Sequence, residues 1–455
     1  MRNAQAQHRW VARRLAVELV RTGEGMSITS SLYTGVSGLL TYGRSLSVVG
    51  NNVANVNTVG YKASRAEFAD LLSSLEGNVE IGRGVSLVGV THLFLQGALQ
   101  TTGSVTDLAI QGNGFFVVRD ASGNSFYTRA GQFHVDKNGV LVNPQGLALQ
   151  GFPVDKTGRP AGGLGDIVLD NGLTLPATAT SSISLAVNLN AAATTPADDW
   201  PGGVGDDAPP EDWLAASNFS TPVRVYDSLG QAHDVTFLFR KTEANTWEYR
   251  AVIPIADIQA DPENPKNWIA VGDGTLVFNN DGTLNAEDST INDITMTGFV
   301  NGAADLTILA DDLSFAGSTQ FAQPSVTSLV QQNGSSAGTL TGITIDSQGI
   351  ITGQFSNGGL QALYQIALAD FPSAAGLASV GNSLFAQTFE SGDARIGIPG
   401  TGGLGSLLAG GLELSTVDIA QEFVGLISSQ RGFQVNSRMV TVADQMYEEV
   451  ANLKR

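Results

Sequence analysis

From Ile28 to Val53, apolar and small residues return at Leu32, Val36, Leu39, Gly43, Leu46, Gly50 and Val53, in alternating steps of four and three. This is a heptad stripe, with Ser, Thr, Asn and Arg on the opposite positions. It predicts a helix with one adhesive face and no partner nearby in sequence. The far end of the chain mirrors it. After the start signal Ser415-Thr416-Val417-Asp418, the residues Ile419, Phe423, Ile427, Val435, Met439, Val442, Met446, Val450 and Leu453 form a second long stripe, interrupted near Gln430-Arg431. Singly, each helix reads as an ordinary core element. Together, at opposite ends of one chain, they predict a terminal coiled coil, made with each other or with neighbouring subunits.

Between the two ends the period changes to two. Gly114 to Arg119, Ser125 to Arg129, Val223 to Tyr226, Asp234 to Arg240, Trp247 to Ile253, Ile343 to Ile345, Ile350 to Phe355 and Leu363 to Leu368 are rich in Val, Ile, Phe, Tyr and Thr. Lys137-Asn138-Gly139, Asn280-Asp281-Gly282, Ser347-Gln348-Gly349 and Asn357-Gly358 punctuate them as turns. Trp247, Tyr249, Ala251 and Ile253 lie two apart and so share one face of a strand. The fold class expected is mainly β with α-helical termini: antiparallel β domains inserted between N- and C-terminal coiled-coil helices. Two breaks interrupt the pattern. Residues 191–213 hold four prolines and six acidic residues without a basic one, which is loop composition. Residues 397–411 contain seven glycines and are expected to form a hinge or extended connector.

The length of 455 residues allows two to four domains, and 42% hydrophobic content is enough for real cores. The chain has no cysteine, which removes disulfides, thiol nucleophiles, thiolate metal sites and cysteine-dependent crosslinks. Its net charge of −19 argues against nucleic acid or an anionic membrane surface as partner. The distribution is sharper than the total: no Lys or Arg occurs between Arg159 and Arg224 or from Asn267 to Ala394. Carboxylates in the second gap read as a solvated β surface, since no spacing among them, Asp281-Gly282 included, fits a calcium loop.

Residues 1–25 are a basic island carrying Arg2, Arg9, Arg13, Arg14 and Arg21. Arg13, Arg14 and Glu18 interrupt every apolar run, so the segment lacks the form of a secretory signal. It is expected to be a non-functional or mis-called extension ahead of Met26, with a genuine amphipathic extension as the alternative. No apolar run in the chain is long enough for a membrane-spanning helix.

Catalytic signals are missing from the pattern. His8, His92, His134 and His233 are scattered without metal-ligand spacing. Gly112-Asn113-Gly114 lacks the third glycine of a dinucleotide fingerprint and runs on as strand. No phosphate loop or GxSxG turn occurs. The expectation is a non-enzyme with no catalytic, cofactor-binding or metal-binding residues.

Gly50-Asn51-Asn52-Val53-Ala54-Asn55-Val56-Asn57-Thr58-Val59-Gly60-Tyr61-Lys62 resembles the signature of flagellar rod and hook proteins, the axial components of the bacterial flagellum. Its family positions here are Asn51, Asn52, Ala54, Asn55, Asn57, Gly60, Tyr61 and Lys62. Asp107 to Phe116 and Thr128 to Phe133 resemble the β core of that family, and Ser415 to Arg455 its C-terminal helix. Val225-Tyr226-Asp227-Ser228-Leu229-Gly230-Gln231-Ala232-His233-Asp234, Ser347 to Gly358 and Gln361 to Phe371 resemble the longer, hook-type members, in which a domain is inserted into the β core.

The resemblance implies a homopolymer: a flexible tube acting as a universal joint and passing torque to the filament. Its implied partners are the flagellar rod, the hook cap, the hook–filament junction proteins and the type III export apparatus, with no nucleic acid and no membrane insertion. The implied place is the hook and basal body, outside the cell, reached without a cleaved signal peptide. The packing stripe between subunits is expected at Leu32, Val36, Leu39, Leu46, Val53, Ile419, Phe423, Ile427, Val435, Met439, Val442, Met446 and Leu453. The expected divisions are 26–56 (helix), 57–95 (extended connector), 96–165 (inner β, first part), 166–318 (inserted outer β domain), 319–396 (inner β, second part), 397–413 (Gly-rich connector) and 414–455 (helix). A distal rod or hook-associated junction protein is the alternative within the family, and a secreted β-rich adhesin the alternative outside it.

Overall fold

The computed structural model describes residues 24–71, 74–76, 79–81, 83–155, 158–170, 172–258 and 266–453. The basic segment at 1–25 thus lies outside the described residues except for its last two positions. The chain forms two compact units, one of Met1–Asp170, Thr344–Thr352 and Ala362–Arg455, the other of Asn171–Ile343 and Gly353–Gln361. The inserted unit therefore extends past the expected limit at 318.

The first unit holds both terminal helices, α1 (Glu24–Ala54) and α4 (Ile419–Leu453). Asp418 caps α4, its Oδ1 accepting from the amides of Ala420 at 2.8 Å and Gln421 at 3.2 Å, the role its place in the start signal implied. The segment expected as an extended connector at 57–95 is instead an antiparallel hairpin, Ser64–Asp70 with Val85–His92. It packs on α1, where Ser37 Oγ accepts from the Val85 amide at 3.3 Å and the Tyr42 and Phe68 rings lie 6.2 Å apart. Half-buried residues alternating with exposed ones give it one sticky face, and α1 covers that face.

The β core of this unit brings together Phe115–Arg119, Ser125–Thr128, Ala148–Pro153, Leu384–Ala386 and Ala378–Gly381 in one antiparallel order. Its interior is aromatic: Tyr127 meets Phe371 edge-on at 4.7 Å, and Phe94 contacts Phe385 at 5.1 Å and Phe115 at 5.3 Å. The Gly-rich connector expected at 397–413 is corrected by two short strands. Ser406–Ala409 pairs with Leu108–Gln111, and Gly411–Glu413 with Leu99–Thr101. Glycine permits this because Gly405 lies against the backbone of Gln111 and Asn113, where a Cβ would collide.

The second unit is built on a twisted antiparallel sheet of Phe219–Tyr226, Ala232–Glu243, Thr246–Pro254 and Trp268–Phe278, extended by Leu284–Ile291 and Asp207–Ala208. Trp247, Tyr249, Ala251 and Ile253 are all fully buried on one face, as their alternation predicts. The opposite face is covered too. The acidic, Pro-rich stretch ends in a short helix, α2 (Pro210–Ala215), whose Trp213 is buried and donates from its indole N–H to the Trp268 carbonyl at 3.1 Å. Trp200 donates to Glu248 at 2.9 Å. The loop composition of 191–213 is therefore a strap pinned by two tryptophans. One more helical turn, α3 (Ile255–Ile258), follows the strand ending at Pro254.

Both units reuse one turn. At Asp120, Asp136, Asn143, Asp155, Asp227 and Asp346 the residue's carbonyl accepts from the glycine amide three positions on, while its amide donates to the carbonyl four positions on. The glycines, 123, 139, 146, 158, 230 and 349, all have positive φ. The best-anchored copy is Asp227. It is fully buried and accepts from the amides of Leu229 and Gln231 at 2.9 Å each, from Asn301 Nδ2 at 2.5 Å and from His233 Nε2 at 3.2 Å. Burial alone would raise this carboxyl, but the bonds from Asn301, His233 and the two amides outweigh it and hold the carboxyl below its ordinary value. A depressed carboxyl adds stability that is present above its unfolded value and lost as pH falls through its folded one. Asp227→Asn should therefore lower the thermal midpoint at neutral pH, and its gap to wild type should narrow as pH falls below the ordinary aspartate value of about 3.9. Calorimetry across that range checks this; a gap that stays constant with pH contradicts it.

Candidate functional site: the joint between the chain ends

The two helices pack antiparallel, as four contacts show: Thr29 with Tyr447, Gly38 with Asn436, Ser45 Oγ with Ser429 Oγ at 3.2 Å, and Asn52 Nδ2 with Glu422 Oε1 at 2.8 Å. Gly38, Ser45 and Asn52 are seven apart, and so are Asn436, Ser429 and Glu422. The seam is thus a heptad of small and polar residues, which lets the backbones approach closely and fixes register at some cost in stability. A Cβ on Gly38 would sit 2.5 Å from Asn436 Oδ1, and one on Gly432 would sit 2.6 Å from the Tyr42 ring.

This differs from the apolar stripes read from sequence. On α1, Val36 is exposed and Leu32, Leu39, Leu46 and Val53 are half-buried, one residue around the helix from the seam. On α4, Ile419, Phe423, Ile427, Val435, Met439, Val442 and Met446 are all exposed, from 44% to 62%. The Leu453 side chain lies outside the described residues. The stripe of α4 is left outward and that of α1 only in part, and Gly43 and Gly50 on α1 face open space.

Below the helices the signature becomes a knot. Asn52 Oδ1 accepts from the Ser64 amide at 2.9 Å and from Tyr61 Oη at 3.2 Å, while Asn52 Nδ2 donates to the Ser64 carbonyl at 2.8 Å. Asn51 donates to Tyr61 Oη at 3.2 Å, and Thr58 Oγ1 donates to Asn55 Oδ1 at 3.0 Å. Ala54 and Asn57 face solvent. Gly60, at φ 67°, lies against the backbone of Arg129 and Ala130, and its amide donates to the Glu413 carbonyl at 2.8 Å. Only glycine fits both conditions.

At the centre is an ion cluster that the sequence reading did not find. Lys62 Nζ lies 2.6 Å from Glu413 Oε1 and donates to the Leu95 carbonyl at 2.5 Å. Arg129 reaches Glu413 Oε2 at 3.3 Å and the Gly112 carbonyl at 2.8 Å. The Gly97 amide also donates to Glu413, at 2.7 Å. The side chains of Lys62 and Glu413 are 1% and 0% exposed, so the attraction acts in a low dielectric. Burial pushes the Lys62 ammonium down from its ordinary value and Glu413 opposes that; Arg129 is affected the same way. The cluster ties the loop after α1, the inner β core and the strand before α4 into one point. A lone Glu413 among Gly411, Leu412 and Leu414 was the available signal, because a single charge in an apolar run asks for a buried partner.

Chemically the joint holds structure. Ser64 Oγ lies 3.0 Å from His92 Nδ1, but the two are cross-strand partners in register, and the ring packs against Phe94 and Phe385. Among the described residues no group of three His, Cys, Asp or Glu is placed to hold a metal ion, and no helix is long and apolar enough to cross a membrane.

Models of known families tile the chain: "Flagella basal body rod protein" over 32–62, "Flagellar hook protein FlgE/F/G D1 domain" over 109–188, "Flagellar basal body protein FlaE D2 domain" over 188–335, and "Flagellar basal body rod FlgEFG protein C-terminal" over 408–453. The flagellar hook protein FlgE of Escherichia coli K12 is 36% identical over 431 residues, covering 92% of this chain and 98% of that one. That of Treponema pallidum is 33% identical over 470 residues, covering 93% and 99%. A crystal structure of Helicobacter pylori flagellar hook protein FlgE2 covers 68% of this chain and 98% of its own, at 15% identity and a TM-score of 0.45. Matched nearly end to end by such relatives, with the joint formed by the same terminal segments that the rod-type models cover, the chain belongs to the FlgE family of flagellar hook proteins.

Proposed function

We propose that this chain is the structural, non-catalytic subunit of a bacterial flagellar hook, and that copies polymerise through the outward stripes of α1 and α4 into a tube linking rod to filament. The carrying observation is that the two helices meet along a seam of small and polar residues and leave the apolar stripe of α4, with Val36 and Leu40 of α1, exposed. A helix pair that exposes a continuous apolar surface is built for further copies. The Lys62–Glu413–Arg129 joint fixes each helix pair to its β core, so torque applied to one is carried to the other. The partners at either end are the rod, the hook cap and the junction proteins, and the subunit reaches its place outside the cell through the type III export apparatus without a cleaved signal. Electron microscopy of cells lacking this chain tests the reading. Basal bodies that end at the rod, with hooks restored by the full chain, are expected; hooks that persist without it overturn the proposal.

A further inference from the structure

The outward stripes give the faces on which copies meet, but not the height at which they meet along the helix axis. Charge supplies it. Arg431 and Arg438 are exposed in the middle of α4. Arg44 of α1 is exposed at the same height, since its neighbour Ser45 lies against Ser429. Asp444, Glu448 and Glu449 are exposed on the last turns of α4. Among the described residues none of these six forms an ion pair.

Spacing forbids one within the helix. The positions three and four from Arg431 are Ile427, Ser428, Gln434 and Val435, and those from Arg438 are Gln434, Val435, Thr441 and Val442. No acid stands where an arginine could reach it. The helix pair therefore presents a basic belt and an acidic end, about 20 Å apart at the α-helical rise.

We propose that α4 helices of neighbouring copies lie parallel and staggered by that distance, so that the acidic last turns of one copy rest on the arginine belt of the next. The proposal rests on the reading of the helices as the assembly surface. Unstaggered neighbours would set arginine against arginine and glutamate against glutamate, which is repulsive. An antiparallel pair would match both belts at once and close as a dimer, whereas a parallel stagger leaves one belt and one acidic end free for further growth. Apolar burial at Val435 and Val442, each four residues on from an arginine of the belt, supplies affinity, and the charges set register.

The test is a charge exchange in the full chain, read by sedimentation of seeded polymer and by light scattering. Arg431→Glu with Arg438→Glu should keep the helical circular dichroism of the monomer and reduce sedimentable polymer about tenfold or more. Adding Glu448→Arg with Glu449→Arg should restore it. Assembly of the double variant at the wild-type level, failure of the four-fold variant to recover, or a wild-type product that stops at a dimer each overturns the stagger. Gly43→Leu, which fills open space on the α1 stripe, separates the two levels of the argument. If it blocks assembly while the arginine variant does not, only the stagger falls; if neither blocks, the assembly reading falls with it.

Discussion

Glu413→Gln should destabilise the first unit by about 3–5 kcal/mol, the cost typical of removing one member of a buried ion pair. Glutamine keeps the shape and can still accept from the Gly97 amide. It leaves Lys62 and Arg129, however, facing each other in the same buried site without the carboxylate that contacts both, Asp370 being a weaker charge that acts on Arg129. Each cation keeps only one backbone carbonyl, that of Leu95 or of Gly112. Lys62→Met should be milder, because the Arg129–Glu413 contact survives and the thioether fills the lysine's stem. Chemical denaturation of the two variants checks the order. A Glu413→Gln midpoint equal to wild type would mean that the cluster contributes nothing. Because the cluster joins the loop after α1 to the strand before α4, loss of helix and loss of the inner β core should coincide in wild type and separate in the variant.

Ile427→Asp with Val435→Asp should leave a folded, soluble monomer that does not assemble. The two side chains are 48% and 62% exposed in the single chain, so a carboxylate there costs the monomer little. In the polymer the same positions lose the burial of the part of each side chain still exposed, about 1.5–3 kcal/mol per subunit, which raises the concentration needed for assembly by about tenfold or more. Analytical ultracentrifugation of variant and wild type at matched concentration measures this. Polymer of normal yield from the variant would move the assembly surface elsewhere.

How much of this was legible before the structure depends on what each residue does. Alternation works wherever a strand buries one face, and Trp247, Tyr249, Ala251 and Ile253 are placed as their spacing required. It fails at 406–413, where pairings of four and three residues are held by backbone bonds and glycine is chosen for close approach, not for a side chain. The helices were legible as helices, but the face that pairs them was not. Apolar bulk marks the stripe left exposed on α4, while Gly38, Ser45, Asn52, Ser429 and Asn436 make the contact within the chain and carry no hydrophobic signal. The turns at Asp120, Asn143, Asp155 and Asp227 were readable from an Asp or Asn three residues before a glycine, a spacing the Asn-Gly rule passes over. Residues 351 apart, such as Lys62 and Glu413, leave no local trace of their pairing.

If copies meet through α4, its outward face becomes buried between them. The chain has no cysteine, so Met439→Cys, at a position 44% exposed in the single chain, places one thiol on that face without background. Its alkylation rate, measured in the monomer and in the assembled polymer, is the most direct test. Fast reaction in the monomer and protection in the polymer are expected; equal rates in both would mean that this face stays open in the tube.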